Sequence, residues 1–115
     1  MANRAAHLFA SAARHPGKTA IRFESEAISF GELASRVRNA AASLAAKGIG
    51  KGSRAALMMP SCPDFIVVQQ ALFALGAVVS PLNSQYRPGE VAHAIASCDL
   101  EYLILPGAFA DRVPA

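Results

Sequence analysis

The stretch from Met58 to Asn83, MMPSCPDFIVVQQALFALGAVVSPLN, constrains the fold more than any other, because it sets a strand end, a whole helix and the next strand in one apolar block. The helix is signalled at both ends. Ser61 reads as an N-cap with Asp64 three residues on, Pro63 sits in the first turn where a missing N–H does no harm, and Gly76 follows the last periodic residue. Between them Phe65, Val68, Leu72 and Leu75 recur at helical spacing, and Ile66, Val67 and Ala71 leave only Asp64, Gln69 and Gln70 as polar interruptions. Such a helix is expected to be covered on most sides. Each large side chain it buries contributes roughly 1.5–3 kcal/mol before conformational entropy is set against it, enough to anchor one face of a sheet. The run Ala77 to Leu82 then reads as a parallel strand buried on both faces.

Around this block the pattern extends in both directions. A short helix from about Asn3 to Arg14 buries Leu8, Phe9 and Ala12 and is stopped by His15-Pro16-Gly17. Thr19 to Phe23 and Ala27 to Phe30 read as a hairpin turning at Glu24-Ser25-Glu26. Ser29 with Glu32 forms a capping box, opening a helix whose inner face is Leu33, Val37, Ala40, Ala41 and Leu44 and which ends near Lys47 with Gly48 beyond. Arg54 to Met59 is the first strand of the central unit. A helix from about Pro88 to Ser97 uses Val91, Ala94 and Ile95, and Glu101 to Leu105 is the third strand. Alternating strands and helices predict an α/β fold: a partial flavodoxin-like parallel βαβαβ sheet with flanking helices, preceded by a helix and a hairpin. The last residues, GAFADRVPA, carry no closing element, so the domain is expected to be incomplete, with an apolar sheet edge left to be paired or covered.

Composition narrows the function. With 53% hydrophobic residues among 115, the chain has the means to bury a core. No apolar run approaches the roughly 20 residues needed to cross a bilayer, and the segment MANRAAHLFASAARHPG lacks a signal-peptide core, so a cytoplasmic protein without a transmembrane segment is expected. The two cysteines fit a reducing compartment. A net charge of +3 is carried by arginines scattered singly and only 7% of residues are aromatic, which argues against nucleic acid as a partner.

Motifs with chemical potential have simpler explanations. Gly48-Ile49-Gly50-Lys51-Gly52-Ser53 invites a phosphate-loop reading, but phosphate cradles follow a strand and open a helix, whereas this one follows a helix and enters a strand. It reads as a helix C-cap and turn. Cys62 lies in the first turn of the central helix, where the dipole favours a thiolate, yet Asp64 opposes it, and a small packed residue is the better reading. Cys98 reads as packing. His7, His15 and His93 share no metal-ligand spacing, and the carboxylates Glu24, Glu26, Glu32, Asp64, Glu90, Asp99, Glu101 and Asp111 form no visible acid/base pair. The residues thus assign no catalytic, cofactor-binding or metal-binding position.

The ordered series HPGKTAIRF, then ISFGELASRVRNAAASLAAKGIGKGSRAALMMPSCPDFIVVQQALFALGAVVSPLNSQYRPGEVAHAIASCDLEYLIL, resembles the N-terminal part of the acyl-adenylate-forming enzymes, particularly the AMP-dependent acyl-CoA synthetases. It does so from about Leu8 to Leu105, through the capped helix after Ile28-Ser29-Phe30, Gly-Lys-Gly-Ser-Arg entering a strand, Pro60 with Cys62-Pro63-Asp64-Phe65, Gly76-Ala77-Val78-Val79, and Pro81-Leu82-Asn83. The resemblance implies that a full-length enzyme uses ATP, Mg2+ and coenzyme A to convert a carboxylic acid to an acyl-adenylate and then to a thioester. Asn83 favours the CoA ligases over amino-acid-activating domains, where aspartate is common. The resemblance also implies that the phosphate loop ending in Pro-Lys, the nucleotide contacts, the Mg-binding glutamate and the C-terminal lysine lie beyond residue 115. Residues 1–115 would then be a truncated N-terminal segment of an AMP-binding domain, binding no cofactor alone, with the remainder of the adenylating domain as its partner. Ser53 stands where the family often has aspartate, and Arg87 precedes Pro88 where a Ser/Thr cap is common.

Two rivals remain at this level. One is a stand-alone flavodoxin-like binding or interaction module without catalysis. The other, a Rossmann dinucleotide enzyme, lacks the glycine fingerprint after its first parallel strand.

Overall fold

In a computed structural model of the chain, residues 5–60 and 62–112 are described. Helix α1 (Ala6–Arg14) leads through His15-Pro16-Gly17 into an antiparallel hairpin of β1 (Thr19–Phe23) and β2 (Glu26–Ser29). The turn residue Glu24 takes φ 54°, the left-handed conformation a tight hairpin turn asks for. Helix α2 (Phe30–Ala46) follows without a break because Ser29 Oγ accepts from the Glu32 N–H at 3.1 Å. Glu32 does not return the bond as a capping box would; its carboxylate accepts instead from Arg36 at 2.9 Å, one turn along the helix. Asn3, taken from the sequence as the start of the first helix, lies outside the described residues.

The second half is a three-stranded parallel sheet. Strand β3 (Arg54–Leu57) leads to α3 (Pro63–Ala74), β4 (Val78–Pro81), α4 (Pro88–Cys98) and β5 (Tyr102–Ile104), and the spatial order is β4-β3-β5. The first of the three strands is therefore central, the opening order of a flavodoxin-like sheet. Ala55 pairs with Val79 on one side and Tyr102 on the other, fixing the register. Direction reverses between the two crossovers, so right-handed connections carry α3 and α4 to opposite faces. Strand β3 is covered on both faces: Ala55, Ala56, Leu57 and Met58, which alternate between them, are all fully buried.

Strand β4 departs from expectation. It is an edge strand, not one buried on both faces, and Val78 is 52% exposed. Periodicity reports how apolar a segment is; neighbours on each side are set by strand order, and β4 has only one. The chain end also differs. Residues Gly107–Arg112 form a 3-10 helix packed against α4, where the sequence showed no closing element.

Two apolar clusters hold these parts together. The first joins Leu8 of α1, Ile28 of the hairpin, Leu33 and Val37 of α2, and Val67 and Ala71 of α3. Arg38 reinforces it from outside, its guanidinium 5.0 Å from the ring centroid of Phe9. The second places Leu72 of α3 with Ile49 and Ala55 against Val79, Tyr102 and Ile104 of the sheet. The most buried residues of α3 are thus Val67, Ala71 and Leu72, while Phe65 and Leu75 of the expected inner row are half-buried. Both clusters depend on α3. Leu72 is wholly buried, so Leu72→Ala should lower unfolding free energy by about 2–5 kcal/mol in urea titrations, whereas Leu75→Ala, half exposed, should cost less.

Candidate functional site

Open α/β sheets bind ligands beyond the carboxyl ends of their strands, where the strand order reverses. Here that place lies between the ends of β3 and β5, rimmed by the turn into α3, the loop after β4 and the segment after β5. Helix α3 begins with Cys62 at the N-cap and Pro63 at the first helical position; Ser61, taken from the sequence as the cap, lies outside the described residues. The Cys62 side chain makes no capping bond, and Asp64 is exposed in the first turn. After β4, Asn83 Oδ1 accepts from the Gln85 N–H at 2.8 Å and its carbonyl accepts from the Tyr86 N–H at 3.0 Å, folding the loop on itself. The next helix, α4, is capped from inside: Glu90 Oε1 accepts the Arg87 N–H at 3.1 Å. Arginine has no acceptor to return the bond, so this is the half of a capping box that can form.

The glycine-rich turn is closed by its own hydrogen bonds. Gly48, at φ 98°, donates to the Ala45 carbonyl, Ile49 to Leu44, Gly52 to Gly76 and Ser53 to Gly50. The Gly50 N–H goes to Ser53 Oγ at 3.0 Å, so the serine supplies the acceptor an aspartate would offer there. With those amides engaged, the turn and C-cap reading of the sequence stands on geometry as well.

The remaining candidates are dispersed. His7, His15 and His93 are exposed, and His93 lies 3.4 Å from Ser97 one turn further along α4. Cys62 is half-buried, Cys98 exposed, and both thiols are free. Among the described residues no group of three His, Cys, Asp or Glu is placed to hold a metal ion. A shallow concavity of about 210 Å³ opens between α1, α2 and α3, walled mainly by Leu8, Phe30, Leu33 and Ile66. Gln70 also borders it, but its Oε1 is sealed from solvent and offers a ligand nothing.

Sequence reading missed one polar cluster. Arg54, at the start of β3, donates its N–H to Glu101 Oε1 at 3.0 Å and its guanidinium to Asp99 Oδ2 at 3.1 Å. Asp99 ends α4 in the left-handed conformation at φ 53°. The groups are 45 and 47 residues apart in the chain, so only the strand register brings them together. They clasp the amino ends of β3 and β5, opposite the rim where ligands approach, and being exposed they contribute little to stability. The Glu32 carboxylate, bonded to Arg36, raises that guanidinium's pKa further above its ordinary value.

A family profile described as AMP-binding enzyme matches residues 8–114. The chain is 31% identical over 94 residues to a long-chain-fatty-acid–CoA ligase of Bacillus subtilis, covering 82% of this chain and 17% of the ligase. It is 32% identical over 100 residues to an indoleacetate–CoA ligase of Aromatoleum aromaticum, covering 87% and 20%. Among solved structures, the N-terminal subdomain of Klebsiella oxytoca NpsA in complex with 3-hydroxybenzoyl-AMSN has TM-score 0.90 at 25% identity, covering 98% of this chain and 28% of that one. The chain spans about a fifth of the length of these ligases.

The cap of α3 gives a direct test of the bland reading of Cys62. A serine hydroxyl accepts the orphan amides of a first turn far better than a thiol, so Cys62→Ser should stabilise the chain by about 0.5–1 kcal/mol in denaturant unfolding.

Proposed function

The chain belongs to the AMP-binding enzyme family, and from that premise we propose that it is the N-terminal segment, residues 1–115, of the AMP-binding domain of an AMP-forming acyl-CoA synthetase. The full enzyme activates a carboxylic acid with Mg·ATP, releasing pyrophosphate, and passes the acyl group from the adenylate to the thiol of coenzyme A. The observation that carries this reading is the match over residues 8–114 together with CoA ligases that align with this chain over about a fifth of their own length. Asn83 after Pro81-Leu82 supports CoA as the acceptor. Two free thiols support a reducing, cytoplasmic setting.

The residues present do not fit the cofactors by themselves. In the glycine-rich turn the amides of Gly48, Ile49, Gly50, Gly52 and Ser53 are engaged, the N-terminus of α3 carries Asp64 where a triphosphate would meet like charge, and no metal-holding cluster exists among the described residues. No catalytic step is therefore assigned to residues 1–115. Their part is a frame: β3 with its buried faces, and α2 and α3 packed as a rigid layer on one side, present a sheet for the rest of the adenylating domain, which brings the phosphate loop and the catalytic lysine.

The purified 115-residue chain is expected to show no ATP–pyrophosphate exchange with any carboxylic acid. The gene is expected to read past the codon for Ala115 into a Ser/Thr/Gly-rich loop ending in Pro-Lys, and the longer product to catalyse the exchange. Robust exchange by the short chain, or a longer product with the loop and no adenylating activity, would overturn the proposal; a stop codon at that point would favour the stand-alone binding module.

A further inference from the structure

The two helices on opposite faces of β3 hold the sheet unequally. Helix α3 buries Val67, Ala71 and Leu72 and takes part in both apolar clusters. Helix α4 wholly buries Val91 alone; Ala94 and Ile95 are half-buried and its remaining side chains are exposed. Among the described residues, neither cluster includes a side chain of α4. Since Ala55 packs with Leu72, the alternation of the strand turns Ala56 and Met58 to the α4 side, where both are wholly buried. The inequality lies in what each helix presents to the same sheet, whatever covers its outer surface. Beyond α4, β5 joins β3 over three residues, with the Glu101 N–H on the Arg54 carbonyl at 2.8 Å and the Met58 N–H on the Ile104 carbonyl at 2.9 Å at the two ends. The Arg54 and Asp99 side chains that pair there are exposed, so the ion pair adds little. The 3-10 helix packs back on α4, so the last elements hold to each other as well as to the frame.

From this inequality we infer that α4, β5 and the 3-10 helix form a strap that swings off β3 as one unit while the frame from α1 to β4 stays folded. Opening gives up the burial of Val91, Ala56 and Met58, the packing of Tyr102 and Ile104 in the second cluster, and the bonds between β3 and β5. It leaves intact the whole first cluster, Leu72 against Ile49, Ala55 and Val79, and the bonds between β3 and β4. The loop before α4 is closed by its own bonds at Asn83, which survive in both states and let it serve as the hinge. In the open state the Arg54 carbonyl and the Met58 N–H lose their partners, so β3 alternates between one paired side and two. The inference is independent of the enzymatic reading.

Native-state amide exchange of the 115-residue chain in low urea tests this. The Met58, Leu100 and Glu101 amides, bonded to Ile104, Ile95 and Arg54, are expected to exchange together, at least about tenfold faster than the Leu75 and Val78 amides of the frame. Their exchange should also rise less steeply with urea, because the strap exposes less surface on opening than the whole chain does on unfolding. Val67 lies in the first cluster, which the open state keeps, so Val67→Ala should speed exchange of the frame amides about tenfold or more and leave the strap amides unchanged. Burial of Val91 is lost in both openings, so Val91→Ala should speed both classes by the same factor. The urea slopes of the unaltered chain decide the matter even where a variant does not fold. One slope and one opening equilibrium for both classes, strap amides that respond to Val67→Ala, Val78 opening with the strap, or a chain without protected frame amides would each overturn the inference.

Discussion

Helix α3 is the member through which every other part of the chain is connected. Val67 and Ala71 point into the cluster shared with α1, α2 and the hairpin, and Leu72, the next residue, points into the cluster against the sheet. A helix with a single apolar stripe could serve only one of these. The near absence of polar side chains from Phe65 to Leu75 is what lets one helix stand between two cores, and it explains why this segment has so little amphipathic character. Without α3 the hairpin unit and the parallel sheet would each be small assemblies with a large apolar face in water.

Much of this was legible in the residues. Helix α2 announced itself through Ser29, the Leu33-Val37 spacing and Gly48, and α3 through Pro63 and Gly76, because caps and breakers act within a few residues of where they stand. The parallel character of β3, β4 and β5 followed from their alternation with helices. What was not legible depends on non-local geometry. In VVSP only Pro81, which can give no ladder donor, marks an edge strand, and the apolar run outweighed it in the reading; the strand order itself is set by neighbours 24 or 47 residues away in the chain. The clasp of Arg54 with Asp99 and Glu101 is invisible for the same reason. The capping box at Ser29 was half right: Glu32 had a closer competitor in Arg36, and a full charge one turn away outbids a backbone amide.

The candidate site gives the opposite lesson. The individual residues pointed to no chemistry, and the glycine-rich turn was read as a helix C-cap and turn, the form it takes with the amides of Gly48, Ile49, Gly50, Gly52 and Ser53 bonded within the chain. Identity came instead from the order of many weak signals along the chain, none of them a reacting group. A frame can be as recognisable as a catalytic centre, because packing demands, such as the small residues at Ala55 and Ala56 under two helices, fix residue types as firmly as chemistry does.

The central position of β3 also sets the order in which the sheet can be completed. Its bonds to β4 close a loop of a few dozen residues, including Leu82 to Leu57, while those to β5, such as Met58 to Ile104, close one almost twice as long. A chain emerging from the ribosome therefore has the hairpin, α2, α3 and β4 in hand while the second side of β3 is still bare. For the time it takes to synthesise α4 and β5, a strand with two buried faces in the finished structure waits with one row of hydrogen-bonding groups open to whatever is nearby.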